Sequence, residues 1–384
     1  MRFILASEED IVEGSVTDRY FIWTEKVLKE KGVNPVVVAE VTTSSWGIFA
    51  GLRDVLKLME GKRVDIYAMP EGCLFYPHEP VLTVVGRYLD FARFETALLG
   101  FICHASAVAT QAFKFKLAAG DKKVFSFGTR RMHPALAPAI ERSAYIGGVD
   151  GVSNYSAEKY LGLKSMGTMP HALIICFGDQ VKAWRAFDEV VDEDVPRTML
   201  IDTYFDEKTE AVLAIENVRR VNGVRLDTPS SRRGNFRKIV EEVRWELDIR
   251  GRRDVKIFVS GGLGVEDVLE LRDIVDAFGV GTAIAGARPM DFALDIVEKE
   301  GKFVAKRGKR GGMKQVYRDW SRLEDEVRLF KDDPPEGKEP LLRKVMENGE
   351  IVEEPDMSEA RELALKQMRI IRELGLDEKF LRKA

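Results

Sequence analysis

Residues 198–227, TMLIDTYFDEKTEAVLAIENVRRVNGVRLD, carry the pattern that decides the fold. A short apolar segment ends at Asp202, an amphipathic segment follows, and a second apolar segment ends at Asp227 in the same way. This alternation predicts two parallel strands joined by a right-handed helical crossover. Each aspartate should then lie at the carboxyl end of its strand, where parallel α/β folds place their ligands.

The same unit repeats on both sides of this stretch. Seven apolar segments are each followed by an expected helix, the last of them at residues 289–298; the segments are VFSF (124–127), AYIGG (144–148), KSMG (164–167), TMLID (198–202), GVRLD (223–227), KIFVS (256–260) and VGTAIA (280–285). We therefore predict an α/β fold with an irregular barrel of about seven (β/α) units. An open doubly wound sheet is the alternative.

The flanking segments predict two further parts of the chain. Residues 1–110 show β-branched runs and one amphipathic segment, which favour an α/β sandwich-type N-terminal domain. The barrel is expected over residues 111–299. Residues 300–384 should return to the N-terminal domain and end in a small tail subdomain, with an Asn348-Gly349 type I′ turn and a helix over residues 358–374.

Composition narrows the function classes. The chain has 384 residues, 45% of them hydrophobic and 32% charged, and a formal net charge of −4. Such a balance gives no field that favours nucleic acid or membrane binding. The three cysteines form no CxxC pair, and the N-terminus turns acidic after a few residues, unlike a signal peptide. We expect no apolar run that approaches the roughly 20 residues needed to span a bilayer. We expect a cytoplasmic protein with reduced thiols.

The expected strand ends collect the residues that could carry chemistry. They comprise acids, one histidine, one arginine and two glycine loops: Phe127, Arg130, Asp150, Ser153, Thr168, His171, Asp202, Asp227, Ser260-Gly261-Gly262 and Gly281-Thr282. The strand starts carry lysines instead, at Lys123, Lys164 and Lys256. This polarity predicts an active site at the carboxyl end of the barrel.

The two glycine loops are candidate phosphate sites, because small residues let backbone N–H groups approach phosphate oxygens. A tight strand-to-helix turn is the alternative for either loop. Asp202 and Asp227 could bind sugar hydroxyls or hold Mg²⁺ through water, or they could only cap the next helix. Arg225 alternates with Asp227 and should point to the same side of its strand.

Phe127 and Arg130 could grip an aromatic acid, with a ring stacked on the phenyl face and a guanidinium on the carboxylate. A core position is the alternative for Phe127, and Arg131 is expected to be a surface charge. His171 is the histidine at a strand end and could act as acid, base or nucleophile.

Eight short motifs occur in one order along residues 17–318. They are TDRY (17–20), FSFGTRR (125–131), GGVDGVSN (147–154), GTMPHA (167–172), VRLDT (224–228), FVSGGL (258–263), FGVGT (278–282) and KQVYR (314–318). Taken together, this ordered set resembles the nicotinate phosphoribosyltransferases. The resemblance implies a type II phosphoribosyltransferase fold that works as a homodimer or higher homo-oligomer, with the site at the subunit interface.

The resemblance also implies an activity: ATP-coupled transfer of phosphoribosyl from phosphoribosyl pyrophosphate to nicotinate. Phe127 and Tyr20 of the partner subunit would stack on the pyridine, near Arg130, Asp150, Ser153 and Thr168. Arg225 and Asp227 would hold the phosphoribosyl group, and Ser260, Gly261, Gly262, Gly281 and Thr282 its phosphate. His171 would be phosphorylated by ATP, with Asp202 and Asp227 as catalytic partners. Mg²⁺ would bind through pyrophosphate near Asp202 or Asp227, without a dedicated protein site.

Other functions remain open at this point. A quinolinate phosphoribosyltransferase would share the fold, but it must bind two carboxylates and release CO₂. A nicotinamide-using relative would differ only in how the ring substituent is recognised. A Schiff-base aldolase needs a lysine near the strand ends, whereas the strand-associated lysines here lie at the starts. A non-catalytic phosphate-binding module would not need acids and a histidine at the same end of the barrel as the glycine loops.

Overall fold

The computed structural model describes residues 3–381, which fold as a mixed α/β protein. Its α-helices are α1 Glu8–Val12, α2 Arg19–Glu30, α3 Leu52–Met59, α4 Tyr88–Phe91, α5 Glu95–Ala119, α6 Ala137–Ile146, α7 Ser156–Leu161, α8 His171–Phe177, α9 Gln180–Val190, α10 Glu207–Asn217, α11 Ser230–Arg233, α12 Phe236–Ile249, α13 Val265–Leu271, α14 Thr282–Ala285, α15 Met357–Glu373 and α16 Asp377–Leu381. Three 3₁₀ turns occupy Ala92–Phe94, Thr129–Arg131 and Pro134–Leu136.

The strands are mostly short and are enriched in apolar residues on their buried faces. They are β1 Val36–Thr42, β2 Gly47–Ile48, β3 Val64–Ala68, β4 Leu74–Phe75, β5 Leu82–Arg87, β6 Lys123–Ser126, β7 Gly151–Val152, β8 Thr198–Leu200, β9 Gly223–Leu226, β10 Lys256–Val259, β11 Ala277–Val280, β12 Ala293–Lys299, β13 Lys302–Phe303, β14 Lys314–Asp319, β15 Glu324–Leu329, β16 Glu339–Pro340, β17 Arg343–Glu347 and β18 Glu350–Ile351.

The chain divides into two units. One comprises residues 1–110, 146–148 and 288–384, and the other comprises residues 111–145 and 149–287. The predicted domains 1–110, 111–299 and 300–384 remain a prediction.

The first unit is built on an antiparallel sheet of seven strands in the order β13-β12-β1-β5-β3-β17-β18. Its core contains the β-branched interior of β1 and the apolar face of α3. A three-stranded sheet, β15-β14-β16, and the β2-β4 pair complete the strands of this unit. The Asn348-Gly349 turn forms as predicted between β17 and β18, and both residues have the positive φ, 45° and 83°, that a type I′ turn requires.

The second unit holds a parallel sheet of six strands in the order β7-β6-β11-β10-β9-β8. Helices follow the strands, as the alternation predicted. A single parallel bridge between Val152 and Ser165 extends the β7 edge, and within residues 3–381 no ladder joins that edge to β8. This sheet positions the predicted site residues.

Four expected elements are wrong. Residues 164–167 form no strand and make only the single bridge between Val152 and Ser165. Residues 144–148 end helix α6 rather than forming a strand, because Gly147 and Gly148 stop the helix and the chain pairs only at Gly151–Val152. The expected strand at 280–285 is displaced to Ala277–Val280, and a helical turn follows it. Residues 289–298 are not a helix: Ala293–Lys299 is a strand that pairs antiparallel with β1.

The expectation that no apolar run approaches the length of a membrane span is wrong. The helical stretch Tyr88–Ala119 is long and apolar enough to cross a membrane by length and composition. Of its most apolar window, 56% is buried inside the protein. A helix that is apolar on all sides is typical of a protein core as well as of a bilayer, and this degree of burial favours the core.

Candidate active site

The carboxyl ends of the parallel strands surround a cavity of about 600 Å³. Most of the predicted site residues line it: Phe127, Arg130, Ser153, Thr168, Arg225, Asp227, Ser260, Gly261, Gly262, Gly281 and Thr282. Except for Thr168, these residues lie near the carboxyl ends of five strands, β6, β7, β9, β10 and β11, so the parallel register brings them together. Their individual roles remain predictions.

The two glycine loops form one wall of the cavity. Gly261 and Gly262 have φ of +97° and +75°, a left-handed backbone that favours glycine. A Cβ at Gly261 would lie 2.9 Å from the Asp227 carbonyl oxygen, so the two strand ends approach each other closely only because this residue lacks a side chain. The buried guanidinium of Arg233 donates to the Gly261 carbonyl and fixes the loop from behind.

The carboxylate of Asp227 is held from two sides. The Ser260 hydroxyl donates to Asp227 Oδ1 at 2.6 Å, and Arg225 Nη2 lies 3.3 Å from Asp227 Oδ2. Arg225 also donates to the Thr168 hydroxyl. The predicted proximity of Arg225 and Asp227 is thus present, and the pair presents one cationic and one anionic group to the cavity.

Asp202 and His171 lie beside Asp227 but do not contribute to the lining of the cavity. The Nε2 atom of His171 is 3.6 Å from Asp202 Oδ1 and 3.8 Å from Asp227 Oδ2, while its Nδ1 atom lies 3.0 Å from the Thr203 hydroxyl. Asp202 Oδ2 accepts the backbone N–H of Asp227 at 2.9 Å. Burial raises the pKa of Asp202 to about 6, although nearby His171 acts in the opposite direction.

The segment that follows β6 forms the wall of the cavity that contains the Phe127 ring. Phe127 packs against Phe258 with ring centroids 5.6 Å apart, and a Cβ at Gly279 would lie 2.8 Å from the Phe127 ring. Gly279 therefore makes room for this ring. The following 3₁₀ turn places Arg130 at the cavity wall, with Arg131 beside it.

A buried carboxylate supports this wall from behind. Glu141 Oε1 accepts the backbone N–H groups of Ser153 and Asn154, at 3.3 and 3.0 Å. The Asn154 amide in turn donates to the Thr129 hydroxyl at 2.9 Å. Glu141 has no exposed surface, so the loop after β7 and the turn carrying Arg130 share one buried anchor.

Besides His171 and Asp202, Asp150 and Tyr20 are also absent from the lining of the cavity. Asp150 precedes β7 rather than ending a strand, and its carboxylate accepts from Lys116 Nζ and from the Val124 N–H, both at 2.8 Å. That arrangement joins α5 to the amino end of β6. Tyr20 lies on α2 in the first unit, where 55% of its surface is exposed.

Sequence reasoning missed four residues around this site. Arg131, expected as a surface charge, lines the cavity. Thr203 bonds His171, Glu141 anchors two loops, and Gly279 accommodates a ring. Thr203 directly follows the strand-end Asp202 and could have been found by the same rule, whereas Glu141 lies in the middle of a helix and gives no local signal.

Comparisons with known proteins show which family the chain belongs to. Residues 18–106 and 108–295 match the profiles of the quinolinate phosphoribosyl transferase N-terminal and C-terminal domains. The structure of a nicotinate-nucleotide pyrophosphorylase from Pyrococcus furiosus is 54% identical, with a TM-score of 0.94 over 97% of this chain and 99% of that one.

Relatives of lower sequence identity are named nicotinate or nicotinic acid phosphoribosyltransferases. A nicotinate phosphoribosyltransferase of Mycobacterium tuberculosis is 31% identical over 340 residues, 82% of this chain and 71% of that protein. Human nicotinic acid phosphoribosyltransferase shares the fold at 21% identity, with a TM-score of 0.72 over 92% of this chain and 94% of that one.

These findings correct the expected assignment. Both family profiles and the 54% identical structure indicate the quinolinate enzymes, so the nicotinate phosphoribosyltransferase assignment and its ATP-coupled activity are wrong. The expectations of ATP as a cofactor and of a phosphorylated His171 are wrong for the same reason. Phosphoribosyl transfer in pyridine nucleotide synthesis is retained. The chain belongs to the quinolinate phosphoribosyl transferase family.

Proposed function

We propose that this protein transfers phosphoribosyl from phosphoribosyl pyrophosphate to quinolinate, giving nicotinate mononucleotide, pyrophosphate and CO₂. The observation that carries the proposal is the set of three guanidinium groups, from Arg130, Arg131 and Arg225, around one cavity with an aromatic wall. Quinolinate has two carboxylates and the donor carries phosphates, and guanidinium groups pair with both in bidentate geometry.

The cavity supplies each part of such a reaction. The pyridine would stack on Phe127, with its carboxylates toward Arg130 and Arg131. The donor's 5′-phosphate would meet the backbone of the glycine loops at Gly261 and Gly281. Arg225 and Asp227 would hold the ribose and align C1′ with the ring nitrogen, which is the main requirement of a step with oxocarbenium character.

Bonds and charges balance along this path. The ring nitrogen forms a bond to C1′ as the C1′–oxygen bond to pyrophosphate breaks. The quaternary nitrogen then stabilises the electron pair that remains on C2 when its carboxylate leaves as CO₂. A proton adds to C2 and completes the nucleotide. No ATP enters this sequence, so His171 serves as a polar neighbour of Asp202 and Asp227 rather than as a phosphate carrier.

Mg²⁺ fits this site as a partner of the pyrophosphate. Asp202 Oδ1 is buried and has no hydrogen-bond partner within residues 3–381, and Asp227 is 31% exposed toward the cavity. Mg²⁺ is held by one or two carboxylates together with substrate phosphates, where it neutralises leaving-group charge. Asp202 or Asp227 would supply that carboxylate, as proposed from the sequence.

The finer expectations about the fold, the location and the assembly stay within the proposal. We infer that the six-stranded sheet is an irregular, incompletely closed barrel and that the antiparallel sheet belongs to a sandwich-type domain. We also infer a cytoplasmic homodimer with a shared site. Tyr20 of the partner subunit would then cover the pyridine.

The test is an assay with phosphoribosyl pyrophosphate and Mg²⁺, with quinolinate, nicotinate and nicotinamide offered separately, each with and without ATP. Quinolinate should yield nucleotide, pyrophosphate and CO₂ in equal amounts, and ATP should not change the rate. Nucleotide from nicotinate with no CO₂ from quinolinate would refute the proposal, as would no nucleotide from any of the three.

A matched pair of variants sharpens this test. Arg131→Gln should raise KM for quinolinate about tenfold, which corresponds to ~1.4 kcal/mol of lost binding. Arg253→Gln is the control, because that arginine is exposed and does not line the cavity. Equal KM values for both variants would remove Arg131 from carboxylate recognition.

A further inference from the structure

A second cavity, of about 450 Å³, lies at the opposite end of the same parallel sheet. Its rim includes the first residues of five strands: Lys123, Thr198, Gly223, Lys256 and Ala277. The candidate active site lies at the carboxyl ends of four of those strands, β6, β9, β10 and β11. The two cavities therefore occupy the two ends of one sheet.

The inner wall of this second cavity is aromatic. Phe125, Phe127 and Phe258 line it, with ring centroids 5.5 to 6.5 Å apart. Phe127, Met166, Gly167 and Thr168 line both cavities. A molecule in the second cavity would thus touch the same phenyl ring that faces the candidate active site.

The rim carries more positive than negative charge. Three lysines and two aspartates line the cavity, a difference of +1. Lys256 pairs with Asp276 at 3.2 Å, and Asp276 also accepts the Ile257 N–H at 2.9 Å. No carboxylate in the described part of the chain lies within ion-pairing distance of Lys122 or Lys123. Both lysines therefore add positive charge to the lining of an aromatic cavity.

We propose that the second cavity binds a small aromatic carboxylate, with its ring against Phe125 and Phe258 and its carboxylate at Lys122 and Lys123. Sites for small molecules combine an apolar wall with a few placed polar groups, as this one does. Through contact with Phe127, the bound ligand changes pyridine affinity at the candidate active site. Only this coupling rests on the proposed function; the binding does not.

The binding test uses 2-naphthoate as the probe in titration calorimetry with the full chain. Wild-type protein should bind it, and the neutral 2-naphthalenemethanol should bind about tenfold more weakly, because it lacks the charge that the rim attracts. Lys122→Glu and Lys123→Glu should each weaken naphthoate binding by a similar factor. Lys164→Glu is the control, since this lysine is an exposed cation that does not line the cavity.

Separate outcomes distinguish the two ends of the sheet. Binding weakened by Arg131→Gln but unchanged in Lys122→Glu and Lys123→Glu would place the probe only in the active-site cavity and overturn the proposal. Undetectable binding to wild-type protein would overturn it as well. Circular dichroism confirms that each variant is folded.

The coupling is measured by the KM for the pyridine substrate with and without 2-naphthoate. We expect a several-fold change in wild-type protein that Lys123→Glu abolishes. A competitive effect that persists in Lys123→Glu would refute the coupling. If no pyridine is turned over, the proposed function fails while the calorimetric result still decides the second site.

Discussion

At the scale of single residues, the arginines of the candidate site depend on a carboxylate that does not line the cavity. Glu141 is fully buried and accepts two backbone N–H groups from the loop after β7. Asn154 in that loop bonds Thr129, the first residue of the turn that carries Arg130 and Arg131. Glu141 is therefore a positioning residue rather than a catalytic one.

We expect Glu141→Ala to raise KM for the pyridine substrate more than it lowers kcat, because it frees the arginine turn without touching the donor site. Leaving the two N–H groups unpaired should also cost about 1–3 kcal/mol of stability. Steady-state kinetics and chemical denaturation measure both effects.

Two further variants separate positioning from general damage. Glu141→Gln keeps an acceptor oxygen and should restore most of the KM. Glu158→Ala removes an exposed carboxylate that accepts from the N–H and hydroxyl of Ser165 in a similar way, so it should leave KM unchanged. If Glu141→Gln lowered kcat and raised KM as much as Glu141→Ala does, the positioning role would be wrong.

At the scale of elements, the β14–β15 hairpin is fixed by a buried ionic cluster. Arg318 on β14 donates to Asp325 on β15 at 2.7 Å, to the Leu74 carbonyl at 2.7 Å and to Gln367 at 2.8 Å. Glu79 accepts the Tyr76 N–H in the same cluster. Burial first, and the negative charge of Asp325 second, raise the pKa of Glu79 to about 8.

This shift predicts a pH-dependent loss of stability. Folded protein retains the Glu79 proton up to about pH 8, whereas the unfolded chain releases it near the ordinary value of 4.5. Stability should therefore fall as pH rises between these two values and then level off. Glu79→Gln cannot lose a proton, so its stability relative to wild type should increase by on the order of 2–4 kcal/mol from about pH 5 to about pH 9.

Guanidinium unfolding at several pH values measures this difference. Glu326→Gln is the control on this hairpin, because the hydrogen bond from Arg328 lowers the pKa of Glu326, so this carboxylate is already ionised over the same pH range. Parallel stability curves for Glu79→Gln and wild type would show that Glu79 is already ionised in the folded protein.

At the scale of the whole molecule, helix α2 presents an apolar stripe to solvent. Tyr20, Trp23 and Val27 are 55%, 62% and 58% exposed and follow helical spacing. Large apolar side chains clustered on one exposed face are typical of an interaction surface. The predicted homodimer gives this stripe an occupant, a second copy of the chain.

We expect Trp23→Glu to convert a dimer into monomers, because it places a charge within that apolar face. Light scattering after size-exclusion chromatography measures the mass. Lys26→Glu is the control on the same helix, since Lys26 is exposed beside the stripe. A monomeric wild-type protein, or an unchanged mass in Trp23→Glu, would remove α2 from the interface.

A shared site makes a second prediction from the same interface. Tyr20→Ala and Phe127→Ala subunits should each be inactive, but mixed dimers would contain one site with both aromatic residues intact. Mixing should therefore restore about a quarter of the wild-type rate, because random pairing makes about half of the dimers mixed and each mixed dimer has one intact site of its two. No recovery in verified mixed dimers would contradict a site built from two subunits.

The sequence by itself determined the parallel sheet and much of its active end. The position of several site residues could be predicted because they come one or two residues after a strand, and parallel strands align their ends. These residues are Phe127, Asp227, Ser260, Gly261 and Gly281. The left-handed backbone of the glycine loops could also be predicted, because a positive φ such as that of Gly261 is a local preference of glycine.

Tertiary structure alone decided what depends on contacts between distant segments. Residues 293–299 form a strand because β1 supplies its hydrogen bonds, and Asp150 is drawn away from the cavity by Lys116. Arg131 joins the site because Glu141 and Asn154 hold its turn. Such partners are chosen by packing across many residues, which no local pattern records, and that packing also leaves a second aromatic cavity behind Phe127.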